Sequence, residues 1–175
     1  MMENAPLTIS YNPEAKDYVR ASRALAMKST SFIVMAVLLI VAMIAAAVIL
    51  LLPSVGDQSW NNIAMILIVV GFFYIIYYFA VIPWQLKRAY KKNEHLQGER
   101  QFVLNDVNIQ VKVGSEGTTL NLENLQKVVD AGDLYLLIYK DKQKFYFFIP
   151  QRAFNEDVTE KDFLNYLDEK SISVN

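Results

Sequence analysis

Two long apolar runs stand out in the pattern of hydrophobic and polar positions along the chain. Residues 32–52 contain no charged, amide, hydroxyl or proline side chain, and residues 63–82 contain no polar side chain except tyrosine. A helix of either length spans roughly 30 Å, the thickness of the hydrocarbon layer of a bilayer. Residues 53–62 are rich in turn-forming residue types. The pattern therefore predicts a transmembrane hairpin with helices at 32–52 and 63–82 and an external loop at 53–62.

Cations flank the two apolar runs on one side of the predicted hairpin only. Lys and Arg residues precede the first run and follow the second, whereas the loop contains neither. Under the positive-inside rule, this bias predicts that both termini face the cytoplasm. The flanking cations are Arg20, Arg23, Lys28, Lys87, Arg88, Lys91 and Lys92.

The segments next to the hairpin have weaker patterns. Leu7, Ile9 and Tyr11 alternate with polar residues as in a half-buried strand, and a helix signal follows. Residues 1–31 are therefore predicted to be a cytoplasmic strand and helix. Residues 83–99 predict a polar juxtamembrane helix that ends near Gly98. Within the hairpin itself, small residues permit close approach of the helices; they are Ala42, Ala46 and Gly71.

From residue 100 onward the hydrophobic period changes to two, which is typical of β-strands. The alternation predicts a hairpin and further strands, at 107–113, 118–122, 127–130, 134–140 and 144–149. An amphipathic helix follows at about 156–169. The simplest assembly of these elements is one antiparallel meander closed by a C-terminal helix. The sequence thus predicts an α+β membrane protein with a cytoplasmic antiparallel β domain at 100–175.

Composition narrows the possible functions. Hydrophobic residues make up 54% of the chain and charged residues 20%, with a formal net charge of −1. A nucleic-acid binder needs an accumulated positive surface, so no nucleic-acid partner is expected. The chain has no cysteine, which excludes a disulfide and a thiolate ligand or nucleophile.

No pattern of catalytic, cofactor-binding or metal-ligating residues occurs in the sequence. The apolar runs lack the ionisable residues that ion paths and proton relays need. The single histidine, His95, has no partner at a metal-binding spacing, and no phosphate-binding or nucleophile-elbow motif is present. We therefore expect no catalytic residue, no cofactor and no metal.

A basic cluster beside the second run is the strongest interaction feature of the sequence. Cations next to a membrane contribute about 1 kcal/mol each near an anionic leaflet, but they also set topology, and the sequence leaves both interpretations open. Arg152 has two interpretations as well, since it either binds an anion or joins its strand to the last helix; the second is favoured. The residues predicted to contact the membrane surface are Trp84, Lys87, Arg88, Lys91 and Lys92.

The segment from Ile149 to Phe154, together with the two adjacent runs and the β-rich tail, resembles the YcxB-like family of bacterial membrane proteins. Nearly the whole chain takes part in the resemblance. The family typically has I-P-K-R-A-F here, and this chain has Gln in place of Lys. The resemblance implies a tail domain similar to a pleckstrin-homology fold, a curled antiparallel sheet capped by a helix, and it supplies no catalytic residues. The matching positions, with an expected structural role, are Pro150, Arg152, Ala153 and Phe154.

These observations lead to one expected function and two alternatives. The expectation is a non-catalytic protein of the bacterial cytoplasmic membrane that presents a pleckstrin-homology-like domain for protein or lipid-headgroup interaction. The alternatives are a small helper subunit of a transporter or envelope complex, and a membrane-tethered enzyme. The expected partners are the lipid bilayer with its anionic headgroups, and a second copy of the chain or another membrane protein.

Overall fold

The computed structural model describes residues 6–52, 58–114, 116–140 and 146–174. Some predicted features lie partly outside these residues: the loop at 53–62, the turn at 114–117 and the strand at 144–149. The described chain is α+β and forms two compact units. Residues 22–88 form the first, called here the helical unit, and residues 1–21 with 89–175 form the second, called the β unit.

Six helices occur in the described residues. They are α1 (Ala15–Lys28), α2 (Thr30–Leu51), α3 (Gln58–Ile76), α4 (Ile82–Lys92), α5 (Glu94–Gln97) and α6 (Glu160–Glu169). A π-helical segment, Tyr77–Val81, joins α3 to α4 without a break. Among the described residues, two stretches are long and apolar enough to cross a membrane: Thr30–Leu51 and Gln58–Lys92. The mean hydropathy of an 18-residue window is 3.3 in the first and 2.6 in the second.

In the helical unit, α2 and α3 pack together through small residues. Ala46 and Ala64 are completely buried. A Cβ atom added at Gly71 would lie 2.4 Å from Sδ of Met43, so only glycine allows this approach without a shift of the methionine. The predicted packing role of Ala46 and Gly71 is confirmed. Large apolar side chains, by contrast, are exposed on both helices.

In the described residues of the β unit, seven antiparallel strands form two sheets. The first sheet has the order β1-β2-β3-β4 and the second the order β5-β6-β7. The strands are β1 (Leu7–Tyr11), β2 (Arg100–Leu104), β3 (Asn108–Val113), β4 (Glu116–Asn121), β5 (Leu125–Asp130), β6 (Leu134–Tyr139) and β7 (Tyr146–Pro150). Two sheets therefore replace the single meander that the sequence suggests.

The predicted hairpin is confirmed as β3 and β4, which pair with Ile109 opposite Leu120. The sequence gives no sign that the N-terminal strand joins the tail, yet β1 pairs antiparallel with β2, with Leu7 opposite Leu104. The turn between β5 and β6 needs glycine, because Gly132 has φ +81°. The Asp130 side chain accepts a 2.8 Å hydrogen bond from the Gly132 N–H and closes this turn.

Helix α6 covers part of the β-unit core. Its residues Phe163 and Leu167 are completely buried, and the Phe163 ring lies 5.3 Å from that of Tyr135 on β6. The helix begins with a capping box, in which Thr159 and Asp162 satisfy each other's backbone N–H groups. The Thr159 hydroxyl and the Thr159 backbone N–H both donate to the Asp162 carboxylate, and these two hydrogen bonds lower its pKa. The C-terminal helix predicted from the sequence is confirmed, although it begins at Glu160 rather than near residue 156.

Candidate functional site

The basic cluster predicted from the sequence forms one exposed face of α4. Residues three and four apart lie on the same side of a helix, and the cluster has this spacing. All five side chains are exposed, and none of the four cations forms an ion pair with a residue that the structure describes. We call this surface the basic helix face; its members are Trp84, Lys87, Arg88, Lys91 and Lys92.

An aromatic side chain is part of the basic helix face. The guanidinium carbon of Arg88 lies 5.3 Å from the centre of the Trp84 ring, within the range of a cation–π contact. Trp84 is nevertheless 58% exposed, so most of the indole is free to contact another surface. The geometry therefore combines an exposed positive charge with an amphipathic ring.

Tyr90, near the end of α4, belongs to the β unit and contacts other residues of that unit. Tyr90 donates a 2.9 Å hydrogen bond to the carbonyl of Pro13, and its ring lies 5.8 Å from that of Tyr18. The Gln97 side chain donates a 2.8 Å hydrogen bond to the Tyr90 carbonyl. These contacts fix the last turn of α4, which carries Lys91 and Lys92.

Arg152 does not join its strand to the last helix, as the sequence favours; its partners lie at the start of α1. The guanidinium donates a 2.7 Å hydrogen bond from Nη1 to Oδ1 of Asp17 and a second bond from Nη2 to Oδ2. Asp17 is only 1% exposed, and it also accepts a 2.7 Å bond from the Glu14 N–H. The hydrogen bonds to Asp17 raise the pKa of Arg152. A bidentate, charge-assisted pair thus connects the segment after β7 to α1.

The remaining residues of the family-like segment precede and follow Arg152 in the chain. Pro150 is the buried last residue of β7, and a short 3₁₀ helix, Gln151–Ala153, follows it. Ala153 is buried, and the Phe154 ring packs 5.5 Å from that of Phe163 on α6. The segment therefore turns the chain from β7 toward α6 while Arg152 reaches α1.

A buried arginine that the sequence analysis missed lies between aromatic rings in the β unit. Arg100 is 9% exposed, and its Nη2 donates a 2.6 Å hydrogen bond to the Tyr18 hydroxyl. Its guanidinium carbon lies 5.4 Å from the Tyr18 ring centre and 5.2 Å from that of Phe148. No carboxylate of the described residues forms an ion pair with it. In the sequence, Arg100 is only the residue at which the hydrophobic pattern changes to the two-residue period of a strand.

Tyrosine hydroxyls complete this cluster. Tyr11 donates a hydrogen bond to the carbonyl of Phe148 and so connects β1 of one sheet to β7 of the other. Burial raises the pKa of Tyr11 and of Tyr18, although the nearby Arg100 opposes the rise in both. Both phenols are therefore neutral donors at ordinary pH.

His95 lies exposed in the short helix α5, where its backbone N–H donates a 3.0 Å hydrogen bond to the Asn93 side chain. The residues that the structure describes contain no group of three or more His, Cys, Asp or Glu side chains able to hold a metal ion.

A comparison of the chain with protein-family models, curated proteins and solved structures found no match.

Proposed function

We propose that the chain is a non-catalytic, membrane-anchored protein that holds its β unit at the cytoplasmic surface of a bacterial membrane, where the basic helix face binds anionic lipid headgroups. The observation that carries this proposal is the continuity of Gln58–Lys92, in which an apolar helix leads directly into an exposed cationic face. A helix that leaves a bilayer meets the headgroups at this transition.

Surface apolarity supports the membrane anchor. Leu38 is 59% exposed, Phe72 59% and Phe73 65%, and many neighbours on α2 and α3 are similar. Soluble monomers rarely expose contiguous apolar patches larger than a few hundred Å². In lipid, the same side chains are in a favourable environment, and all backbone groups within each helix can be satisfied internally.

Charge and ring chemistry support headgroup binding. Four cations at about 1 kcal/mol each are enough to hold α4 against an anionic leaflet at moderate salt. Tryptophan is enriched at the membrane–water interface, and Trp84 lies beside these cations.

The architecture of the β unit supports the family resemblance. A YcxB-like protein would have a pleckstrin-homology-like tail, and two antiparallel sheets with a C-terminal helix are compatible with such a tail. Such a fold can present a protein-binding surface, so we propose that the β unit serves as an interaction module rather than as an enzyme.

The proposal can be tested with the full chain in lipid vesicles, with Trp84 as the reporter in a Trp60→Phe background. We expect acrylamide to quench Trp84 less in phosphatidylglycerol than in phosphatidylcholine, because the basic helix face holds the indole among anionic headgroups. High salt should remove most of the difference. Equal quenching in the two lipids would contradict the proposal.

A matched pair of variants separates the basic helix face from total charge. The triple substitution Lys87→Gln, Lys91→Gln and Lys92→Gln should abolish the lipid dependence of quenching. The control substitutes three lysines outside the basic helix face, Lys112, Lys140 and Lys161, by Gln and should retain it. Topology is read from Ser173→Cys, since the chain has no other cysteine; labelling by an impermeant thiol reagent in intact cells would exclude a cytoplasmic carboxyl end.

A further inference from the structure

An apolar groove of about 450 Å³ lies within the helical unit. One wall is α2, from Phe32 to Met43, and the other includes Tyr74 and the π-helical residue Phe79. Arg23 of α1 lies at its lining and is the only charged side chain there. The groove is thus lined by apolar side chains of α2, α3 and the π-helical segment, and Arg23 of α1 adds one positive charge.

The packing of α2 and α3 explains where the groove forms. The helices touch closely at Gly71, where no space remains for a Cβ beside Met43. Toward Phe32, the small side chain of Ala36 leaves the wall of α2 open, and the Phe32 and Tyr78 rings meet 4.6 Å apart. The groove therefore lies between the close helix contact at Gly71 and the ring contact of Phe32 with Tyr78.

Arg23 gives the groove its chemical specificity. Its guanidinium carbon lies 6.0 Å from the Phe79 ring centre, and it forms no ion pair with a residue that the structure describes. A cation beside an apolar surface is complementary to an amphiphile with a negative head, because the ion pair and the buried chain stabilise the complex together.

The length of the groove matches one leaflet. From Phe32 to Met43, a helix rises about 16 Å at 1.5 Å per residue, and half of a 30 Å hydrocarbon layer is about 15 Å. We infer that the groove holds one acyl chain of an anionic phospholipid, with the lipid phosphate against Arg23. This inference rests on the proposed membrane anchoring, and it adds a specific lipid site that is separate from the basic helix face.

The test measures phospholipid retained by the full-length protein after extraction in mild detergent and exposure to an equal mixture of phosphatidylglycerol and phosphatidylcholine. Native mass spectrometry should show a bound phosphatidylglycerol in preference to phosphatidylcholine. Arg23→Gln should reduce the retained phosphatidylglycerol about fivefold, the factor expected for one cation near an anionic group. Ala36→Phe should reduce both lipids, because its ring fills the path of the acyl chain.

Two control variants make the same kinds of change, loss of a cation and addition of a phenyl ring, at positions that do not line the groove. Lys28→Gln and Val37→Phe alter an exposed cation and an exposed position on α2, and both should retain wild-type amounts of lipid. The triple variant of the basic helix face should do so too. No preference for phosphatidylglycerol, or unchanged retention in Arg23→Gln, would overturn the inference. So would a dimer that Ala36→Phe disrupts, since a second copy would then occupy the groove.

A carbonate wash of the membranes distinguishes this inference from the proposed anchoring. Protein that leaves the membrane fraction contradicts the anchoring itself. Protein that stays in the membrane but retains no phosphatidylglycerol contradicts only the groove site.

Discussion

The helical unit and the β unit bury opposite kinds of residue. In the helical unit the fully buried side chains are small, such as Ala46 and Ala64, and Phe72 is 59% exposed. In the β unit the buried side chains are large, and Phe102 is 0% exposed. The same residue type therefore lies outside in one unit and inside in the other. The difference indicates that the β unit is organised around the exclusion of water, whereas the helical unit is organised around close contact between two helices.

The largest expected effect comes from the same substitution made in each unit. Phe102→Ala should destabilise the β unit by about 3–5 kcal/mol, because it removes a buried ring that stacks on Tyr11 and leaves a cavity. Phe72→Ala should change stability little, since that ring is already exposed. Amide hydrogen exchange in β2 and β3 measures the first effect, and detergent unfolding measures the second. Equal losses of stability in the two variants would contradict the proposed contrast between the units.

A smaller effect is expected from the ion pair that the partly exposed Arg152 makes with the buried Asp17. Arg152→Met should cost about 3 kcal/mol, because it leaves the 1%-exposed Asp17 carboxylate without its counter-ion. Arg20→Met is the control, since the Arg20–Asp133 pair has side chains 47% and 57% exposed and should contribute about 0–1 kcal/mol. Denaturant midpoints followed by circular dichroism compare the two. A double variant, Asp17→Asn with Arg152→Met, should recover part of the loss if the uncompensated charge is its cause.

The smallest effect is expected at the contact between α2 and α3. Gly71→Val should cost about 1–2 kcal/mol, because the new methyl groups overpack against the flexible Met43 side chain. Val70→Ile, at a neighbouring position that is 54% exposed, should be neutral. Thermal unfolding in detergent measures both variants. A Gly71→Val protein as stable as the parent would mean that close helix contact is not what holds the helical unit together.

Local patterns in the sequence account for most of the secondary structure. Alternation predicts β1, the β3–β4 hairpin, β5 and β6, and apolar spacing predicts α6, since each of these signals is contained within a few residues. The local pattern does not show which strands pair with each other. β2 was missed as a separate strand, and its pairing with β1 joins residues that are far apart in the sequence.

The polar contacts were harder to predict than the surface charges. The basic helix face follows directly from the spacing of its cations on a helix. The Asp17 partner of Arg152 could not be found, because the sequence places Asp17 in an ordinary acidic first turn of α1. The contacts of Arg100 could not be predicted either, because the rings of Tyr18 and Phe148 come next to it only in the folded structure.

The pairing of Leu7 with Leu104 sets an order of events during synthesis. The first strand leaves the ribosome long before its neighbour exists, and both apolar helices are made in between. The amino-terminal strand therefore cannot pair with β2 until both apolar helices and the later segment have been made. A fragment that begins at Ala89 would lack β1, so β2 would become an unpaired edge strand. Unpaired edge strands promote aggregation.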